Sequence, residues 1–111
     1  MLKTRKQLTA AEKKFREVTE SQLREQIRDI CKLTGWKMYF TFNSMHSPKG
    51  MTDLILCRPP RVIFAELKRE DTDLKPDQEA WRDLLTACPG VEWYLWIPSQ
   101  IEEIVSILRG L

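Results

Sequence analysis

The chain has 111 residues, 18 Lys and Arg against 16 Asp and Glu, a formal charge of +2 and 42% hydrophobic residues, which suits one domain with its own core. Three scattered cysteines (Cys31, Cys57, Cys88) form no CxxC pair, which argues against a disulfide scaffold or a structural zinc site; no apolar run is long enough to cross a membrane or act as a signal-peptide core. The expectation is a reduced cytoplasmic protein, and His46 is the one histidine on which a histidine-centred mechanism could draw.

The charge is uneven along the chain. Residues 1–18 carry six basic and two acidic side chains, net +4, and the remainder is net −2. A basic arm on a near-neutral body suits a polyanionic partner. Within it, Thr9-Ala10-Ala11-Glu12 reads as a capping box, followed by Leu8, Ala11, Phe15 and Val18 at helical spacing. Thr19 to Gln22 is a second capping box. Leu23, Ile27, Ile30 and Thr34 mark the inward face of its helix, and Gly35 ends it. The two helical pieces could be one bent helix.

Trp36 to Phe42 alternates as a strand, with Trp36, Met38, Phe40 and Phe42 on one side. A polar loop, Asn43 to Gly50, follows. Asp53 to Cys57 is a short apolar run expected to be buried on both faces, and Val62 to Lys68 is the next strand. Pro59-Pro60 cannot adopt the positive φ of a tight hairpin turn, so a wider turn is expected between them. Pro76 opens a helix whose stripe is Trp81, Leu84, Leu85 and Cys88. Val91 to Ile97 is a fourth strand. Ser99 to Glu102 caps a last helix with Ile101, Ile104, Val105 and Leu108 inward. The order α-β-β-β-α-β-α predicts a mixed α/β fold: a three-strand meander, then a crossover helix to a fourth strand.

Centring the hairpin turn between Pro59 and Pro60 places Asp53 opposite Glu66, with Lys68 on the same face. Opposed residues have Cβ atoms roughly 4.5–5.5 Å apart. Two carboxylates at about 5 Å repel by roughly 3 kcal/mol at an effective dielectric near 20. At a surface hairpin end, water and Lys68 would be enough to offset this. In a less hydrated setting a divalent cation is the natural partner, and oxygen ligands suit Mg²⁺ or Mn²⁺. Glu20 and Gln78 extend the inward stripes of their helices, so four polar groups converge on otherwise apolar faces. Elsewhere, the aromatic run Trp93 to Trp96 reads as core, and no Gly-rich nucleotide-binding loop is present.

Glu20, then Gly50-Met51-Thr52-Asp53, then Glu66-Leu67-Lys68, then Gln78 resembles the pattern of the PD-(D/E)XK nucleases, and within them the VRR-NUC branch with its small stand-alone phage and prophage forms. The resemblance covers about residues 19–108, with Thr52 where a Pro often stands and Lys75 at a helix cap where Ser or Thr is usual. It implies a restriction-endonuclease-like αβββαβ core in a nuclease domain of residues 19–111; the basic arm of residues 1–18, read from its charge, lies outside the match. It implies phosphodiester hydrolysis in DNA, branched DNA such as four-way junctions included, by an Mg²⁺- or Mn²⁺-dependent homodimer in a bacterial or phage-infected cytoplasm. Asp53, Glu66 and the Leu67 carbonyl would ligate the metal, and Lys68 would orient the attacking water. Glu20 would serve a second metal directly or through water, and Gln78 would support Lys68 or the water. Asn43, Ser44, His46, Ser47 and Lys49 in the loop, and Lys3, Arg5, Lys6, Lys13, Lys14 and Arg16 in the arm, are candidates for contacting DNA phosphates. The rival from another class is a non-catalytic nucleic-acid-binding module that keeps the fold. A third reading makes the four polar groups ordinary surface residues.

Overall fold

The computed structural model describes residues 9–41 and 45–110. Leu8 and Phe42 lie outside them, as do five of the candidate DNA contacts, Lys3, Arg5, Lys6, Asn43 and Ser44. Helix α1 (Ala10–Glu17) starts at Thr9, whose side chain accepts the Glu12 N–H. Helix α2 (Glu20–Thr34) is a separate helix, because Val18 and Thr19 turn extended between them. Thr19 and Gln22 exchange both bonds of the capping box, and Gly35 ends α2 at φ 82°, in the left-handed region.

Strands β1 (Lys37–Phe40), β2 (Leu54–Arg58), β3 (Arg61–Leu67) and β4 (Val91–Trp96) form one sheet in sequential order. The first three are antiparallel; β4 runs parallel to β3 after the crossover helix α3 (Pro76–Thr86). Helix α4 (Ile101–Arg109) closes the described chain. Leu54, Leu56, Ile63, Ala65, Leu67 and Trp96 share one face by their pairing, and pack with Leu23, Ile27, Cys31, Ile104 and Leu108 of α2 and α4 into a single core. Glu66 alternates with Ala65 and Leu67, so it points to the opposite face, where the start of α3 meets it.

The β2–β3 register is the one expected: Ile55 pairs with Phe64 and Cys57 with Val62. The turn is tighter than expected. Arg58 pairs directly with Arg61, and the Pro59–Pro60 peptide is cis, which turns the chain without positive φ. Both arginines stack on Trp36, their guanidinium carbons 4.8 and 5.0 Å from its ring centre. Arg58 also donates to the Thr34 and Leu108 carbonyls, and Arg61 to that of Ile107. The terminal carbonyls of α2 and α4 thus fasten this end of the hairpin. A hairpin fixed at its turn holds its register at the other end, where Asp53 and Glu66 stand.

Three expectations do not hold. The second face of β2 is open, with Cys57 exposed, because α3 does not extend over it. Of the α3 stripe, Leu84 and Cys88 are exposed, and only Trp81 and Leu85 are half-buried. Ser99 does not cap α4. It lies in a 3₁₀ turn (Pro98–Gln100), and its N–H donates to the Glu70 carboxylate.

Candidate active site

β2 and β3 part at the end away from the turn, and the gap is lined by charge. Asp53 stands just before β2; its carbonyl accepts the Thr41 N–H and its Oδ2 accepts the Leu67 N–H at 2.8 Å. These bonds hold the carboxylate against β3, next to Glu66. Glu66 is 3% exposed and Lys68 6% exposed, two charged side chains in a layer where such groups are rare unless paired.

Gln78 fixes one side of Glu66. Its Oε1 accepts the Lys75 N–H at the start of α3, which orients the amide, and its Nε2 then donates to Glu66 Oε1 at 2.7 Å. Lys75 itself has no acceptor to offer the N–H groups of the first turn, so only the Gln78 half of a capping box is made here. Gln78 was expected to support Lys68 or a water; its bond is instead to the carboxylate. The other oxygen, Glu66 Oε2, is buried without a hydrogen-bond partner. Such an atom loses its hydration and regains nothing.

Electrostatics follow from that geometry. Burial pushes the Glu66 carboxyl up to about 8, with the neighbouring Asp53 carboxylate adding to the rise. Lys68 opposes the shift, and Glu20 adds a smaller increment in the same direction as Asp53. Both therefore act on Glu66 through space, Glu20 from the exposed first turn of α2. Because the folded pKa lies above the ordinary value, the folded chain keeps a proton that the unfolded chain loses. Without divalent cations, stability should therefore fall as pH rises from about 5 to 8, by at most about 1.4 kcal/mol per pH unit, and level off above that. Thermal melts in a chelator read this slope, and Glu66→Gln should flatten it; equal slopes in both proteins would contradict it.

A cavity of about 420 Å³ opens over the pair, lined by Asp53, Glu66 and Gln78, by Tyr39 and Ile55 from the sheet, and by the loop from Ser47 to Thr52. The loop is pinned to α3. Trp81 Nε1 donates to the Lys49 carbonyl at 3.0 Å, and a Cβ on Gly50, at φ 91°, would stand 2.3 Å from the Asp77 carbonyl oxygen. Only glycine allows that approach. Ser47 and Lys49 line the cavity, whereas His46 is exposed and does not. Tyr39, 61% exposed at the cavity mouth, carried no sequence signal beyond its place on the outer face of a strand.

Among the described residues no group of three or more His, Cys, Asp or Glu side chains is gathered as a metal cluster. Asp53 and Glu66 are two carboxylates, with Glu20 farther out. Two carboxylates with an orphaned buried oxygen fit Mg²⁺ or Mn²⁺, which are held by one or two carboxylates and complete their shells with water and phosphate oxygens. Also among the described residues, no helix is long and apolar enough to cross a membrane.

No family model and no curated protein matches the chain. A solved structure described as a VRR_NUC domain superposes with a TM-score of 0.64 at 17% identity, over 78% of this chain and 94% of that one. The likeness establishes the fold: a mixed four-stranded sheet flanked by helices, as in restriction endonucleases.

Proposed function

We propose that the chain is a metal-dependent endonuclease hydrolysing phosphodiester bonds in DNA, with Asp53, Glu66 and Lys68 at its centre. The observation that carries this reading is Glu66. Its Oε2 is buried and unpartnered beside a second carboxylate, an arrangement that costs stability unless a proton or, once that is lost, a cation occupies the gap. Asp53, Glu66 and the Leu67 carbonyl would hold Mg²⁺ or Mn²⁺. The Leu67 N–H points at Asp53, and in an extended strand a residue's carbonyl leaves on the same side as its N–H. The bound ion supplies Lewis-acid polarisation of the phosphate and a more acidic water.

The chain's own groups do the rest. Gln78 keeps Glu66 turned towards Asp53, leaving Oε2 free. Lys68, buried beside Glu66, orients the attacking water and stabilises the charge that grows on the phosphate in the transition state. Glu20 serves a second metal or its water. Ser47 and Lys49 contact phosphates from the cavity wall, and Ser44, His46, Lys3, Arg5 and Lys6 contribute further phosphate contacts. In this reading residues 19–111 are the nuclease domain and residues 1–18 a basic arm. α1 is docked, however: Arg16 pairs with Asp71 at 2.6 Å, and Arg69 donates to the Arg16 carbonyl, so Arg16 is not free for DNA.

The substrate proposed is branched DNA, four-way junctions included, cut by a homodimer whose two sites serve two strands. Purified protein with Mn²⁺ or Mg²⁺ should cut labelled four-way junctions at least about tenfold faster than linear duplex of the same sequence, a difference of about 1.4 kcal/mol in the barrier. Equal rates on both would remove the branch preference. Cleavage of neither, with DNA still bound, would favour the non-catalytic binding module.

A further inference from the structure

Outside the acid pair, the least ordinary arrangement joins α2 to the edge strand. Arg24 and Arg28, one helical turn apart, lie on the same ring: their guanidinium carbons are 4.7 and 5.2 Å from the centre of Phe40. The Nε atom of each is buried without a hydrogen-bond partner. Glu25 has an oxygen 3.2 Å from Arg28 Nε, but off the N–H direction, so it makes a Coulombic contact and no hydrogen bond. Among the described residues no carboxylate pairs with Arg24. Two like charges stacked on one phenyl ring, with donors left unmet, are a poor way to cover a hydrophobic side chain. One such arginine would shield it. Both side chains are only half-buried, so the outer ends of their guanidiniums remain able to take an anion.

The position says which anion. Phe40 pairs with Leu54, the residue after Asp53, and Thr41, next to Phe40, donates its N–H to the Asp53 carbonyl. The arginine patch is therefore one strand position from Asp53, on the α2 face of the sheet, and Glu20 at the start of α2 reaches from that face towards Glu66. On α2, Glu20, Arg24 and Arg28 form a single stripe beside the buried one, its members about 6 Å apart. The stripe begins with an acid acting on Glu66 and continues with two cations, leading outward from the site. A cleft of carboxylates repels a polyanion, and this stripe offers it attachment alongside.

We propose that Arg24 and Arg28, packed against Phe40, form a binding site for consecutive phosphates of the nucleic-acid strand that flanks the acid pair. The inference rests on the nucleic-acid reading given above and adds the track by which the strand is held. Guanidiniums match phosphate oxygens bidentately, which lysines cannot do. Serving binding and not chemistry, the pair acts on affinity and its salt dependence.

The test uses the full chain made inactive by Asp53→Asn, with a fluorescently labelled duplex titrated over a range of salt. Each phosphate contact accounts for about 0.9 of the log–log slope, so Arg24→Gln with Arg28→Gln should make the slope shallower by about 1.8. Affinity at low salt should drop at least about tenfold. Arg24→Lys with Arg28→Lys should keep most of the slope. Should the double Gln protein fail to fold, each single variant should lose about 0.9. In the otherwise unaltered inactive chain, the Arg24 and Arg28 guanidinium resonances should shift on adding DNA. An unchanged slope in folded variants, or unmoved resonances, would overturn the track while leaving the nuclease reading intact. No binding of DNA by the inactive chain at any salt would overturn both.

Discussion

Lys68→Met should lower single-turnover cleavage by about 10²–10³-fold while DNA affinity stays within about twofold of wild type. The lysine is 6% exposed, so its stem is part of the packing, and methionine keeps most of that volume while removing the charge. The ammonium sits close enough to Glu66 to lower its pKa, hence close to where the phosphate would react. A positive charge there matters most when negative charge has grown on the transferring group, so its loss falls on turnover and not on binding. Removing it also leaves Glu66 easier to protonate, and the comparison belongs at saturating Mn²⁺ and at pH 8 or above. Near wild-type cleavage by the folded variant would exclude Lys68 from the mechanism.

Asp53→Asn should abolish detectable cleavage and leave the metal-free fold as stable as wild type or more so. The substitution keeps an oxygen for the Leu67 N–H, which Asp53 now accepts at 2.8 Å. What it removes is a charge that raises the pKa of Glu66. For a domain of this size, each 1 kcal/mol of repulsion relieved would raise Tm by about 4–8 °C. A fall of several degrees without metal would instead make the carboxylate a structural group, and the proposed role would fail.

The acid pair was legible because a hairpin register is a matter of counting. Arg58-Pro59-Pro60-Arg61 marks the turn, and the pairing of Ile55 with Phe64 follows by symmetry. The tightness of that turn was not legible, since a cis peptide between two prolines leaves no trace in periodicity. Helix α3 shows another limit. Its spacing reads as an inward stripe ending at Cys88, but α3 spans only part of its face of the sheet, so Leu84 and Cys88 meet solvent. How much sheet a helix covers depends on strand lengths and crossing position, which a hydrophobic period does not encode. Gln78 was visible as an inward polar residue, while its two bonds depend on where α3 begins relative to Glu66. Arg24 and Arg28 gave no signal. Arginines flanking a buried stripe look like a solvated helix edge until Phe40, a dozen residues on, is placed beneath them.

The central claim is that Asp53 and Glu66 together hold a divalent cation, and a calorimetric Mn²⁺ titration of the metal-free chain reads it directly. At pH 8 wild type should bind Mn²⁺ with saturable heat, and at pH 6 more weakly, because the cation must then displace the proton that Glu66 holds below about 8. Asp53→Asn, folded by its melting curve, should give no saturable heat at either pH. Saturable binding of equal strength in wild type and Asp53→Asn, or none in either at millimolar Mn²⁺, would contradict the account.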